Sequence, residues 1–208
     1  MRVPLIESLG IQSLNSRLAK TSFGKRYLIF EVRILDIESP PNTIGVSEGL
    51  DRSFNFSEVF QLVKKSVKTS LGKRRTGLML GLADLPDYIG AFHQMGSNFI
   101  VMNRSLLDQV THIAKDRQTL NAYVFYTLLH EYLHTLGYVD EGEVRRLTRQ
   151  ICTRVLGPDH PATRLATDGP AVMFPELTFQ HHGESRSRRL PKFEIVREFE
   201  REYKSYVA

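Results

Sequence analysis

The sequence predicts an α+β domain: a small mixed sheet with a backing helix and a long apolar helix, then a mostly helical C-terminal part. Three observations predict it. Short segments in the first hundred residues alternate or run apolar at strand length, and Phe56 to Leu71 is apolar at a period of 3.6. From Gln118 to Leu136 lies an almost wholly apolar helical stretch, followed by Gly137 and a second helical pattern.

Taken in order, Arg26 to Ile37 reads as a strand, with Leu28, Phe30, Val32 and Ile34 on one face, ended by Ser39-Pro-Pro-Asn-Thr. In Phe56 to Leu71 the residues Val59, Leu62, Val63 and Val67 share one helical face, and Gly72 is a stop. Thr76 to Ala83, Tyr88 to His93 and Asn98 to Met102 read as short strands, and Asp108 to Ile113 as a helix. After the helices Gln118 to Leu136 and Glu141 to Leu156, Gly157-Pro-Asp and Asp168-Gly-Pro mark a loop region that ends near Pro175. Arg186 to Pro191 reads as a connector. Phe193, Val196, Phe199, Tyr203 and Tyr206 are spaced for a last amphipathic helix.

A chain of 208 residues fits one domain, residues 1–208, in which 1–25 are an arm or pro-segment and 186–208 the connector and final helix. An apolar fraction of 41% and a charged fraction of 25% are ordinary for a soluble globular protein. No apolar run reaches the length of a membrane span, and Met1 to Gly10 lacks the pattern of a signal peptide. The single cysteine, Cys152, cannot form an internal disulfide, which points to a cytoplasmic protein, and its helical position reads as a small core residue. The net charge of +5 comes largely from two stretches. Lys64, Lys65, Lys68, Lys73, Arg74 and Arg75 form one, and four basic residues between Arg186 and Lys192 the other. They read as solvated faces, with nucleic acid as the second reading, since no aromatic residues interleave them.

The chemistry sits in the apolar helix. Between Gln118 and Val139 the only residue charged at neutral pH is Glu131, flanked by His130 and His134. A helix apolar nearly all round belongs in a core, where an unpaired carboxylate is costly. Imidazoles four residues apart leave one face about a turn from each other, so both can bind one Zn²⁺ with Glu131 alongside as general base.

His130-Glu131-Tyr132-Leu133-His134 is an HExxH string and resembles the motif of the zincin metallopeptidases. That resemblance implies a zinc-dependent peptidase acting on peptides or proteins, with Glu131 as general base. It also makes Asn98-Phe-Ile-Val-Met102 the edge strand along which substrate lies, with Asn98, Ile100 and Met102 as its contacts. Two residues compete for the third ligand. His130 to Asp140 resembles the metzincin pattern with Asp140 last, and Ala171-Val-Met173 would then be its Met-turn. The gluzincin-like alternative takes Glu141, which heads the inward stripe Val144, Leu147, Thr148, Ile151 and Val155, and leaves Asp140 as an N-cap with Glu143 completing a capping box. The connector is short and Asp140 sits where caps are preferred, so Glu141 is favoured. Tyr132 or Tyr138 is expected to serve a developing oxyanion. His93 and His160 are possible helpers, and His181-His182 read as exposed. Two other functions stay open: a nucleic-acid-associated zincin resembling the SprT-type proteases, and a catalytically silent zincin-fold binding protein.

Overall fold

The computed structural model describes residues 44–177, 193–197 and 199, all within the compact unit Ser39–Ala208. The expected strand Arg26 to Ile37, the arm 1–25, the His181-His182 pair and the connector Arg186 to Pro191 lie outside the described residues.

Helix α2 (Phe56–Leu71) begins where Asn55 accepts the Glu58 N–H and ends at Gly72, whose φ of 66° is the left-handed cap. It buries Val59, Phe60, Val63 and Val67. Preceding it, α1 (Ile44–Arg52) inserts Val46 and Leu50 into the same core. Strands β1 (Met79–Ala83), β2 (Ala91–His93) and β3 (Phe99–Asn103) follow, then α3 (Arg104–Ile113). The central helix is α4 (Arg117–Thr135), capped by the Asp116 carboxylate, and α5 (Glu141–Leu156) returns beside it. Next come α6 (Pro161–Asp168), α7 (Pro170–Met173) and β4 (Glu194–Ile195). Among the described residues the protein is therefore mixed α+β, with a small mixed sheet and seven helices.

The sheet runs β2-β3-β1-β4, with β1 and β3 parallel and the two outer pairings antiparallel. This corrects the expected edge. β3 is interior, paired on both sides, and Ile100 and Met102 are fully buried; among the described residues β2 is an edge. Sequence order could not show this, because β2 turns back through Gly96 to pair outside β3. The final segment differs too: Glu194 and Ile195 pair with Leu82 and Gly81 as a strand where helix was expected. A Cβ on Gly81 would collide with the Phe193 ring, so the glycine lets the aromatic side chain lie across β1.

α4 is the core of the molecule, burying Phe125, Leu128, Leu129 and Leu133 against the other elements. No helix among the described residues is long and apolar enough to cross a membrane. Cys152 is fully buried in α5, and burial pushes its thiol pKa up, as befits a packing residue.

Candidate metal centre

The site is built by the hairpin between α4 and α5. Gly137, at φ 92°, takes the left-handed turn after α4, and its N–H bonds back to His134 O while that of Tyr138 bonds to Leu133 O. That turn brings the Tyr138 carbonyl within 2.8 Å of His134 Nδ1. A carbonyl only accepts, so Nδ1 carries the proton and Nε2 presents a lone pair. Asp140 then caps α5, accepting the Glu143 N–H at 2.7 Å, and the next residue, Glu141, turns its carboxylate back toward α4.

Three side chains converge there. His130 Nε2 and His134 Nε2 are 3.3 Å apart, and Glu141 reaches them with Oε2 at 3.3 Å and Oε1 at 3.1 Å respectively. A tetrahedral zinc with ligands about 2.0–2.1 Å away sets neighbouring donors about 3.3–3.4 Å apart. The three separations match that spacing, and the donor types are those zinc takes. Burial holds the His130 pKa low, with the Glu141 charge opposing, so the neutral ligand form of the imidazole is favoured. His130 Nδ1 is buried with no hydrogen-bond partner among the described residues, so His130 lacks the acceptor that orients His134. Asp140 is outside this group, its carboxylate engaged at the helix cap. Met173 packs at the edge of the core and does not line the cleft.

Glu131 is 6% exposed and faces the same cleft. Burial first, and the Glu141 charge second, push its pKa up to about 8, against the pull of the His93 backbone N–H. The cleft, about 680 Å³, lies between the loop before β2, the α4 and α5 faces, and the α6–α7 corner. Asn103, fully buried, holds that loop in place: its amide nitrogen donates to Ile89 O at 2.8 Å and lies 3.2 Å from both Leu85 O and Pro86 O. Nothing in the sequence singles out Asn103, since the helix expected from Asp108 in fact starts at Arg104, where Asn103 also accepts the Ser105 N–H as its cap.

Other expected residues are occupied elsewhere. The Tyr132 hydroxyl is buried and engaged with the Arg75 backbone, accepting its N–H at 2.7 Å and donating to its carbonyl at 3.0 Å. The Tyr138 ring lies under Lys73 Nζ, 4.3 Å away, and does not line the cleft. Neither expected oxyanion donor lines the cleft, whereas Tyr126, one turn before His130 on α4, does. His93 bonds through Nδ1 to Phe99 O, and His160 caps α6; neither joins the donor group. The basic stretch is smaller than its composition suggests. Lys64 is buried, and Arg75 donates to Thr135 O and Ser97 O, which leaves Lys65, Lys68, Lys73 and Arg74 exposed.

Comparison of the chain with protein-family models, curated proteins and solved structures finds no match.

Proposed function

We propose that the protein is a zinc-dependent metallopeptidase of the zincin type, with His130, His134 and Glu141 as metal ligands and Glu131 as general base. The observation that carries this reading is the convergence of two imidazole nitrogens and a carboxylate within 3.1–3.3 Å of one another beside a buried, raised-pKa carboxyl in a cleft. The antiparallel α4–α5 hairpin, with the third ligand heading its second helix, supports the gluzincin-like arrangement over the metzincin-like one.

When bound, zinc supplies Lewis acidity, bringing water within reach of deprotonation near neutral pH and polarising a substrate carbonyl. The protein's own groups do the rest. Glu131 takes a proton from the attacking water onto its carboxylate and returns it to the leaving amine nitrogen. Glu131 is buried beside the donor group and lines the same cleft, so the proton it holds stays next to the reacting atoms. His134 is held in its ligand tautomer by the Tyr138 carbonyl. An extended peptide pairs with β2, an edge among the described residues whose Ala91 lines the cleft, rather than with β3.

Metal analysis and peptide hydrolysis on the same preparations test this. Purified protein is expected to carry about one zinc per chain, lost in His130→Ala and His134→Ala. Glu131→Gln should keep the metal and lower hydrolysis by about 10²-fold or more. Folded protein that takes up no zinc would refute the metal site. Zinc bound tightly with no peptide cleaved would instead leave a silent zincin-fold binding protein.

A further inference from the structure

Arg145 and Tyr126 both line the cleft and make no hydrogen bond through their side chains among the described residues. Arg145, one turn after Glu141 on α5, is the only lysine or arginine among the described residues that line the cleft. Its side chain is 74% exposed, and its one ionic contact, Nε to Glu141 Oε2, is 3.9 Å long, too far for a hydrogen bond. Tyr126, one turn before His130 on α4, lines the same cleft with its hydroxyl unengaged. Because α4 and α5 run antiparallel, a step forward along α5 from Glu141 matches a step back along α4 from His130. Arg145 and Tyr126 therefore form the next rung beyond the ligands. The polar side chain after them on α5 is already satisfied, since Thr148 Oγ1 donates to Val144 O at 2.8 Å.

We propose that Arg145 and Tyr126 form a subsite that binds a carboxylate of the substrate beside the metal ligands, making the enzyme selective for acidic peptides or for a free chain end. A guanidinium presents five N–H donors in a fork that matches a carboxylate, and a phenol adds a sixth from the side. Through Glu141 the guanidinium is one carboxylate oxygen away from His130 Nε2, which gives it first claim on groups next to the scissile bond. Asp87, on the loop before β2, and Asp168, at the end of α6, line other walls and would favour a basic group there. The selectivity for chain cleavage rests on the metallopeptidase reading; the carboxylate binding itself does not.

The test uses fluorescent decapeptides with glutamate, glutamine or lysine at one position in turn, each as free acid and as C-terminal amide. Their affinities are measured on the Glu131→Gln protein, with and without added zinc, so that binding is read apart from turnover. The expected result is a peptide with glutamate at one position bound about tenfold tighter than its glutamine counterpart. That ratio should fall to near one in Arg145→Ala with zinc content unchanged, be partly restored in Arg145→Lys, and drop by a few-fold in Tyr126→Phe. A preference that follows the free C-terminus rather than an internal glutamate keeps the subsite and identifies the carboxylate as a chain end. Equal binding of glutamate and glutamine peptides, tighter binding of lysine peptides, or a preference intact in Arg145→Ala overturns the proposal. Carboxylate preference in protein that takes up no zinc would uphold the subsite and refute the peptidase.

Discussion

Helix α4 has two polar faces half a turn apart, and they are built on opposite rules. On one face Asn121 and Tyr132 are buried and fully engaged: Asn121 Nδ2 donates to Leu50 O at 2.8 Å and Ser53 O at 2.9 Å, and the Tyr132 hydroxyl both accepts from and donates to Arg75. Arg75 in turn ties Thr135 O to Ser97 O, locking the end of α4 to the turn before β3. On the other face His130, Glu131, His134 and Tyr126 hold atoms that no protein group satisfies, or satisfies only in part. The closed face uses polar groups as fasteners, where leaving one unpaired costs stability. The open face keeps donors and acceptors aimed at a shared space, as the proposed metal site requires. Burial alone does not separate the two sides, since Glu131 is as buried as Asn121, and it is the hydrogen-bond accounting that shows the difference.

If the faces differ in this way, substitutions on them should fail differently. The largest effect is expected on the open side: Glu141→Ala should release zinc and abolish hydrolysis, read by metal analysis and activity. Its neighbour Asp140, engaged only with the Glu143 N–H, should behave as a cap. Asp140→Ala is expected to retain zinc and to lose about 0.5–2 kcal/mol in denaturant unfolding. Zinc lost with Asp140 and kept without Glu141 would reverse the assignment and break the comparison at its centre.

On the closed side, Tyr132→Phe removes one hydroxyl and leaves the Arg75 amide and carbonyl unpaired in the core. It is expected to cost about 1–3 kcal/mol of unfolding free energy while the metal stays bound. A Tyr132→Phe protein that is as stable as wild type but poor in zinc would show that this hydroxyl serves the site rather than the scaffold.

How much of this was legible in the sequence follows the same division. The apolar run around a lone Glu131 marked α4, and the 3.6 period with Asp140 and Glu143 at cap spacing marked α5, because local chemistry determines both. α1 was missed: its nine residues include Gly45 and Gly49, and it is held by docking Val46 and Leu50 on the core rather than by propensity. α6 lies where the sequence reads as loop, because the flanking Gly157-Pro-Asp and Asp168-Gly-Pro are turn signals, although a proline one residue after His160 is also a helix start. The interior place of β3 and the strand at Glu194 depend on pairing with distant residues. The Arg145–Tyr126 rung needs the hairpin geometry before the two residues can be seen as neighbours.

The smallest expected effect concerns a histidine that belongs to the closed rule, and it sharpens the contrast with His134. His134 commits Nδ1 to the Tyr138 carbonyl and leaves Nε2 facing His130 and Glu141. His160 commits both: Nδ1 accepts the Ala162 N–H at 3.1 Å, capping α6, and Nε2 donates to Asp51 Oδ1 at 3.2 Å. Protonation would place a hydrogen on Nδ1, facing the Ala162 N–H, and the cap would be lost. Burial lowers the His160 pKa from 6.5, with the Asp51 hydrogen bond and charge opposing. The unfolded chain therefore binds more protons than the folded one at pH values between the two pKa values, and stability rises with pH across that interval. The contribution is fully present above about 6.5 and is lost as the pH falls from there through the lower folded value. Glu131 acts in the opposite sense when the site holds no cation, because its raised pKa makes the folded state the better proton acceptor from about 4.5 up to about 8. The measurement is thus the difference between wild type and His160→Asn, which retains a capping side chain and cannot titrate. That difference in melting temperature should be nearly flat above pH 7 and shift against wild type by a few degrees as the pH is lowered to 5. A difference that does not change with pH would mean that His160 keeps its cap when protonated, and that its two bonds are not the fasteners described.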